Sequence, residues 1–106
     1  MHAQIINYKL DGITEAEYLA ASPPDAEAIA GVPGLVSKVW LADPATNTCG
    51  GFYLWRDRAA MEAFMASGLV AALMARPHLA DITSRDFAVP EALSRTTRGI
   101  AAEPVA

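Results

Sequence analysis

Two short apolar segments separated by a turn leave few folds open to this chain. Residues 35–42 (LVSKVWLA) and 50–55 (GGFYLW) are rich in the branched and aromatic side chains that favour β-strands. Residues 43–48 (DPATNT), which lie between them, have the composition of a turn. The pattern predicts an antiparallel hairpin. Successive residues of a strand point to opposite faces, and each strand of the hairpin has large apolar residues on both faces. Both faces of the hairpin therefore require burial.

The residues before the hairpin predict one strand and one interrupted helix. Residues 2–10 mix branched, aromatic and polar side chains and precede an Asp-Gly turn, as a strand would. Thr14 and Glu17 have the spacing of a capping box, which predicts a helix start. Pro23 and Pro24 must interrupt this helix, because proline lacks the amide donor, and the helix is expected to resume over residues 25–30.

The residues after the hairpin predict a second helix and a last strand. Asp57 is suited to the N-cap of a helix over residues 58–66, and the helical periodicity continues until Pro77. Residues 79–89 have the pattern of a strand that ends at a proline. The resulting order is βαββαβ, which predicts an α+β fold of the ferredoxin-like kind, with a four-stranded antiparallel sheet covered by helices on one face.

This organisation predicts one domain and a partner for its bare sheet face. Residues 1–90 form the predicted domain, and the polar, alanine-rich residues 91–106 are expected to form a C-terminal tail or arm. A sheet that is apolar on both faces would expose a larger patch than monomers tolerate. Packing against the sheet of a second copy removes that patch, so we expect a homodimer.

Composition argues against several classes of function. The net charge is −4 and no Lys or Arg cluster occurs, which disfavours nucleic acid and anionic membranes as partners. The apolar segments are too short to span a bilayer, and the N-terminus lacks the features of a secretion signal, so a cytoplasmic location is expected. Cys49 cannot form an internal disulfide, and no metal-ligand or dinucleotide-binding spacing is present. We therefore expect neither metal nor cofactor.

Lys38 and Trp40 are the first candidate substrate-binding residues. They lie two positions apart on one predicted strand and so point to the same face. An ammonium beside an indole can hold an anionic aromatic molecule. The alternatives are that Trp40 serves the core or an interface and that Lys38 forms an ion pair there. Lys38 is the more informative of the two, because an ammonium within so apolar a strand needs a partner or water.

Four further residues have side chains of suitable chemistry. Tyr53 and Trp55 share one strand face and have polar edges that can point into a cavity, although core packing is the commoner role for such side chains. Asn7 can present a carboxamide to a substrate oxygen or bond a neighbouring loop. His78 has a side chain suited to acid–base chemistry or haem ligation, but it follows the proline that ends the second helix. His2, at the terminus, is not a candidate.

The hairpin and its surroundings resemble a known family. Residues 34–40 (GLVSKVW) and 50–57 (GGFYLWRD) are similar to the corresponding segments of the YdhR-type monooxygenases, and the likeness extends into residues 60–64 and, more loosely, 87–94. The resemblance implies a dimeric α+β barrel related to the antibiotic-biosynthesis monooxygenases. Those relatives include cofactor-free oxygenases of aromatic polyketides and haem-degrading enzymes. Phe64 stands where the haem-degrading enzymes have a tryptophan, which disfavours haem degradation here.

The resemblance suggests two functions. One is a small cofactor-independent monooxygenase of an aromatic or polyphenolic molecule, in which Asn7, Lys38, Trp40, Tyr53 and Trp55 line the pocket. The other is a dimeric small-ligand-binding or stress-associated protein without catalysis. Fold membership does not choose between them, because one fold can carry many activities.

Overall fold

A computed structural model describes residues 1–101. The elements in chain order are β1 (His2–Leu10), α1 (Glu15–Ala21), α2 (Pro23–Ala30), β2 (Leu35–Asp43), β3 (Thr48–Trp55), α3 (Arg58–Met65), α4 (Gly68–Met74), β4 (Leu79–Ala88) and α5 (Glu91–Thr96). The four strands form one sheet in the order β2-β3-β1-β4, and every neighbouring pair is antiparallel. The predicted α+β, ferredoxin-like architecture is confirmed, and α5 is an element that the sequence patterns did not predict.

Local hydrogen bonds explain where the helices begin. The Thr14 hydroxyl accepts from the Glu17 amide, and the Glu17 carboxylate accepts from the Thr14 amide, each at 3.1 Å, so the predicted capping box is present. Asp57 caps α3 by accepting from the Ala60 amide at 2.8 Å, as predicted. The break before Pro23 is confirmed, since Ser22 alone separates α1 from α2.

The sheet has one face covered by helices. The main core cluster joins Ile6, Tyr53 and Trp55 of the sheet to residues of α2, α3 and α4. Trp55 is completely buried, and its indole N–H donates to the Gln4 carboxamide oxygen at 3.0 Å. Gln4 in turn donates to the Ser84 hydroxyl, so the carboxamide of this buried residue is bonded through both its oxygen and its nitrogen.

The opposite face of the sheet carries large apolar side chains that remain accessible. The cross-strand pairs Val39–Phe52 and Ala3–Phe87 place these residues on the face away from the core cluster. Val39, Leu41, Phe52 and Phe87 are between 37% and 56% exposed in the isolated chain. We call this set the open-face patch.

The segment after β4 packs on its own chain. Ile100 is buried, and the carboxylate of Glu91 bonds the Met1 ammonium at 2.9 Å. Residues 102–106 of the predicted arm lie outside the described residues. None of the helices between residues 1 and 101 has the length and apolar character that a membrane span requires.

Candidate functional site

A small cavity of about 60 Å³ lies between the helix-covered face of the sheet and the helices. Its wall is mostly apolar and aromatic, which is typical of ligand sites. The lining residues come from all four strands and from α1, α2, α3 and α4, together with Arg76 after α4. A second hollow of about 210 Å³, between α2 and β2, shares Ile29, Lys38 and Trp40 with this cavity. Lys38 therefore borders both the cavity and the hollow.

Lys38 is the central polar group of the cavity. Its Nζ lies 3.4 Å from the Trp40 ring centroid and 4.6 Å from the Tyr53 ring centroid, so the ammonium is held against two aromatic faces. Within the described part of the chain, this amine has no hydrogen-bond acceptor. Burial lowers the pKa of Lys38 to about 8, although the nearby Asp25 carboxylate opposes that change. The site thus holds a poorly solvated amine that is charged near neutral pH and loses its proton at a lower pH than an ordinary lysine.

A pair of tyrosines forms another part of the wall. The hydroxyls of Tyr8 and Tyr18 hydrogen-bond each other, and the two rings meet edge to face. Burial raises the pKa of both phenols, so both are neutral near physiological pH. Because each phenol carries one proton and their mutual bond uses one, the other proton is available to a hydrogen-bond acceptor in the cavity.

The third polar feature is an ion pair at the cavity wall. The Arg76 guanidinium donates to both carboxylate oxygens of Asp25, at 2.5 and 2.9 Å. Hydrogen bonding from Arg76 lowers the pKa of Asp25, which keeps the carboxylate ionised. The pair ties α2 to the end of α4, and it commits the Asp25 oxygens to arginine rather than to Lys38.

The Tyr53 ring of the cavity wall packs on two other aromatic side chains. Tyr53 stacks on Trp55 with the planes 1° apart and the centroids 5.9 Å apart. Phe64 packs against both rings, 5.7 Å from Tyr53 and 5.0 Å from Trp55. Burial raises the pKa of Tyr53, so this phenol also stays protonated. Tyr53 therefore gives the cavity a well-packed, uncharged aromatic surface.

The structure brings together three of the six predicted substrate-binding residues. Lys38, Trp40 and Tyr53 line the cavity. Trp55 lies in the core beneath Tyr53, with its N–H bound to Gln4. Asn7 belongs to the opposite face of β1, beside Gly50.

His78, the remaining candidate, lies in the connection between α4 and β4 and is outside the lining of the cavity. Its carbonyl accepts from the Asp11 amide at 2.9 Å. Within residues 1–101, no group of three or more His, Cys, Asp or Glu side chains is arranged to hold a metal ion, and Cys49 is a buried free thiol.

Sequence reasoning missed Tyr8, Tyr18, Asp25 and Arg76. Alternation along β1 places Tyr8 on the same face as Ile6, a signal that could have found it. Tyr18 is the buried residue of α1, and no periodic apolar pattern in that seven-residue helix marks it. The Asp25–Arg76 pair had no local signal, because its partners are 51 residues apart in sequence.

Comparison with known proteins shows the same architecture in several solved structures. A putative antibiotic biosynthesis monooxygenase from Deinococcus radiodurans matches with a TM-score of 0.70 and 17% identity, covering 86% of this chain and 94% of that one. A mutant of SnoaB, a cofactor-independent oxygenase from Streptomyces nogalater, matches with a TM-score of 0.67 and 20% identity, covering 85% and 93%. A mutant of MhuD with two manganese protoporphyrin IX molecules bound per active site matches with a TM-score of 0.67 and 18% identity, covering 85% and 95%. A search of curated proteins found no match.

The fold is that of a ferredoxin-like α+β domain, and solved structures described as antibiotic biosynthesis monooxygenases share it. The sequence itself carries the more specific assignment, since residues 4–100 match the family model described as "Putative mono-oxygenase ydhR". The chain belongs to this ydhR family, and the predicted resemblance is confirmed.

Proposed function

We propose that this protein is a cofactor-independent monooxygenase that acts on an aromatic or polyphenolic small molecule held in the cavity. The observation that carries the proposal is the Lys38 amine, which lies between the Trp40 and Tyr53 rings in an otherwise apolar space. Membership of a monooxygenase family and the shared fold of a cofactor-independent oxygenase support it.

The lining residues suit a reaction in which the substrate supplies the electrons. An acidic aromatic or enolic substrate that loses a proton becomes an anion able to reduce O₂. When a CH₂ group becomes a carbonyl, one oxygen atom of O₂ enters the product and the other leaves as water. The Lys38 ammonium stabilises the developing anion, because its attraction is strengthened where water is excluded. Trp40 and Tyr53 hold the ammonium in place, the apolar wall of the cavity packs on the aromatic ring of the substrate, and the tyrosine pair offers a donor to a second oxygen.

The active form in this proposal is a homodimer. The open-face patch would be covered if the sheets of two copies packed face to face, and that arrangement buries apolar surface that is exposed in one chain. Arg85 stands 5.4 Å from the Phe87 ring beside the patch and can shield its edge. A cytoplasmic location stays a prediction.

Oxygen uptake tests the proposal. Purified protein, stripped of metals, is offered hydroxylated aromatic compounds ranging from single-ring quinols to three-ring anthrones in an oxygen-electrode cell. Uptake above the rate of the compound alone is expected with at least one compound, and Lys38→Met should abolish the excess. Lys9→Met is the matched control, because it removes the other lysine, which bonds Thr46 on the opposite face of the sheet.

The alternative is a dimer that binds a small ligand without catalysis. It predicts saturable binding of an aromatic compound at Lys38 and no uptake of oxygen above background across the same panel. The two functions are therefore separated by measuring binding and oxygen consumption on one set of compounds.

A further inference from the structure

The glycine opposite Trp40 in the neighbouring strand makes room for the Lys38 side chain. Trp40 and Gly51 are cross-strand partners on the helix-covered face. A Cβ atom added to Gly51 would stand 2.5 Å from Cε of Lys38 and 3.4 Å from its Nζ. The lysine side chain therefore runs across the sheet over Gly51, and only the absence of a side chain there allows this path.

The charges of the cavity wall do not cancel. Its charged side chains are Asp25, Lys38 and Arg76. Asp25 and Arg76 satisfy each other through a bidentate pair. One positive charge, that of Lys38, is left without an anion in the part of the chain that the structure describes. A partly buried charge of this kind carries a desolvation cost unless it is paired, so the cavity favours a ligand that brings one negative charge.

We propose that Gly51 is a positioning residue that seats the Lys38 amine between two aromatic rings, and that the resulting site takes up its ligand as a singly charged aromatic anion. This inference rests on the proposed function for the identity of the site. It adds the charge of the ligand and the role of Gly51 in positioning the amine that binds it. The anionic oxygen of the ligand accepts from the ammonium, which the Trp40 and Tyr53 rings hold in place, and the ring of the ligand packs on the apolar side chains of the cavity wall.

The titration of Lys38 sets the pH range of binding. The titratable or charged groups around the amine are Tyr8 from β1, Tyr18 from α1, Asp25 from α2, Tyr53 from β3 and Arg76 after α4. The tyrosines stay neutral and Asp25 stays ionised at neutral pH, which leaves Lys38 as the group that changes charge. Since its pKa is about 8, affinity for an anion is expected to fall as the pH rises through that value.

Calorimetry with two pairs of probes tests the charge of the ligand. Benzoate is compared with benzamide, and 4-nitrophenolate with 4-nitroanisole, so that a carboxylate and a phenolate are each matched to a neutral analogue. We expect one or both anions to bind at least ~10-fold more tightly than the neutral partner in wild-type protein near neutral pH. The preference should disappear in Lys38→Met and persist in Lys9→Met. Equal affinity for the charged and neutral probes would overturn the proposal, and which anion binds tells whether a carboxylate or a phenolate is preferred.

The role of Gly51 is tested by the pKa of Lys38. The two lysines of the chain make their side-chain NMR signals assignable, with Lys9 as the internal reference. Gly51→Ala should raise the pKa of Lys38 from about 8 towards its ordinary value of 10.5 and weaken anion binding at least ~5-fold. Gly68→Ala is the control, because its added methyl would meet no atom within 4 Å. An unchanged pKa in folded Gly51→Ala would refute the positioning role.

The two proposals can fail separately. Charge-selective binding that depends on Lys38, with no oxygen uptake, leaves the anion site intact and removes the oxygenase function. Oxygenation of neutral compounds that Lys38→Met does not change removes the anion site and the role of Lys38 in the reaction, and leaves only the oxygenase activity itself. If Gly51→Ala does not fold, the comparison of wild type with Lys38→Met still tests the anion site.

Discussion

Lys38→Met is expected to make the folded protein more stable while it removes the candidate site. A pKa lowered from 10.5 to about 8 corresponds to at most about 3–4 kcal/mol of destabilisation of the charged form on folding. Because the side chain is only half-buried, solvent screening reduces this to about 1–2 kcal/mol. Methionine keeps an apolar stem of similar length against Trp40 and Tyr53 and carries no charge. The free energy of unfolding near neutral pH should therefore rise by about 1–2 kcal/mol.

The pH dependence separates this explanation from a general packing gain. The folded-state pKa of Lys38 lies below the unfolded-state value, so the unfolded chain binds more protons between about pH 8 and 10.5. The stability of the wild type relative to Lys38→Met should rise through that window, and the difference between them should close above it. Below about pH 8 the difference should be constant and largest.

Urea denaturation of wild type, Lys38→Met and Lys9→Met, followed by tryptophan fluorescence at a series of pH values, makes the measurement. The reasoning is refuted if Lys38→Met is less stable than the wild type at neutral pH, or if the difference between them does not change up to about pH 10.5.

Three further predictions concern the fold and its assembly. Gly50→Ala should lower the free energy of unfolding by at least about 2 kcal/mol, because a Cβ there would stand 1.9 Å from the Ile6 carbonyl oxygen; urea midpoints equal to those of the wild type would contradict this. Gln4→Leu should cost about 2 kcal/mol by leaving the Trp55 indole N–H without its acceptor in the core, and thermal or urea unfolding checks it. Phe52→Glu places a charge in the open-face patch and should shift sedimentation from dimer to monomer, whereas an unaltered dimer would place the interface elsewhere.

Local signals were sufficient for most of the fold. The capping box at Thr14, the N-cap at Asp57 and the break at Pro23 each depend on residues close in sequence, and each is present in the structure. The order βαββαβ, with right-handed crossovers, then predicts the ferredoxin-like topology. The helix at Glu91–Thr96 was not predicted, since that segment is short and its helix has no side-chain cap bond.

The site was only partly predictable. Strand alternation correctly grouped Lys38 with Trp40, and Tyr53 with Trp55, on the same face of the sheet. Alternation does not show which residues of that face border a cavity and which pack in the core. Trp55 is deep in the core, while Tyr53 reaches the open space. Asn7 shares its strand with the cavity residues yet points to the other face, a distinction that needs the pairing register rather than the residue type.

Isotope labelling tests the central claim most directly. The compound that supports the greatest oxygen uptake is incubated with metal-free protein under ¹⁸O₂, and the product is analysed by mass spectrometry. The proposed function predicts one labelled oxygen atom per product molecule with wild type and Lys9→Met, and loss of the labelled product with Lys38→Met. A product without label, or the same labelled yield from Lys38→Met, would contradict a monooxygenase centred on Lys38.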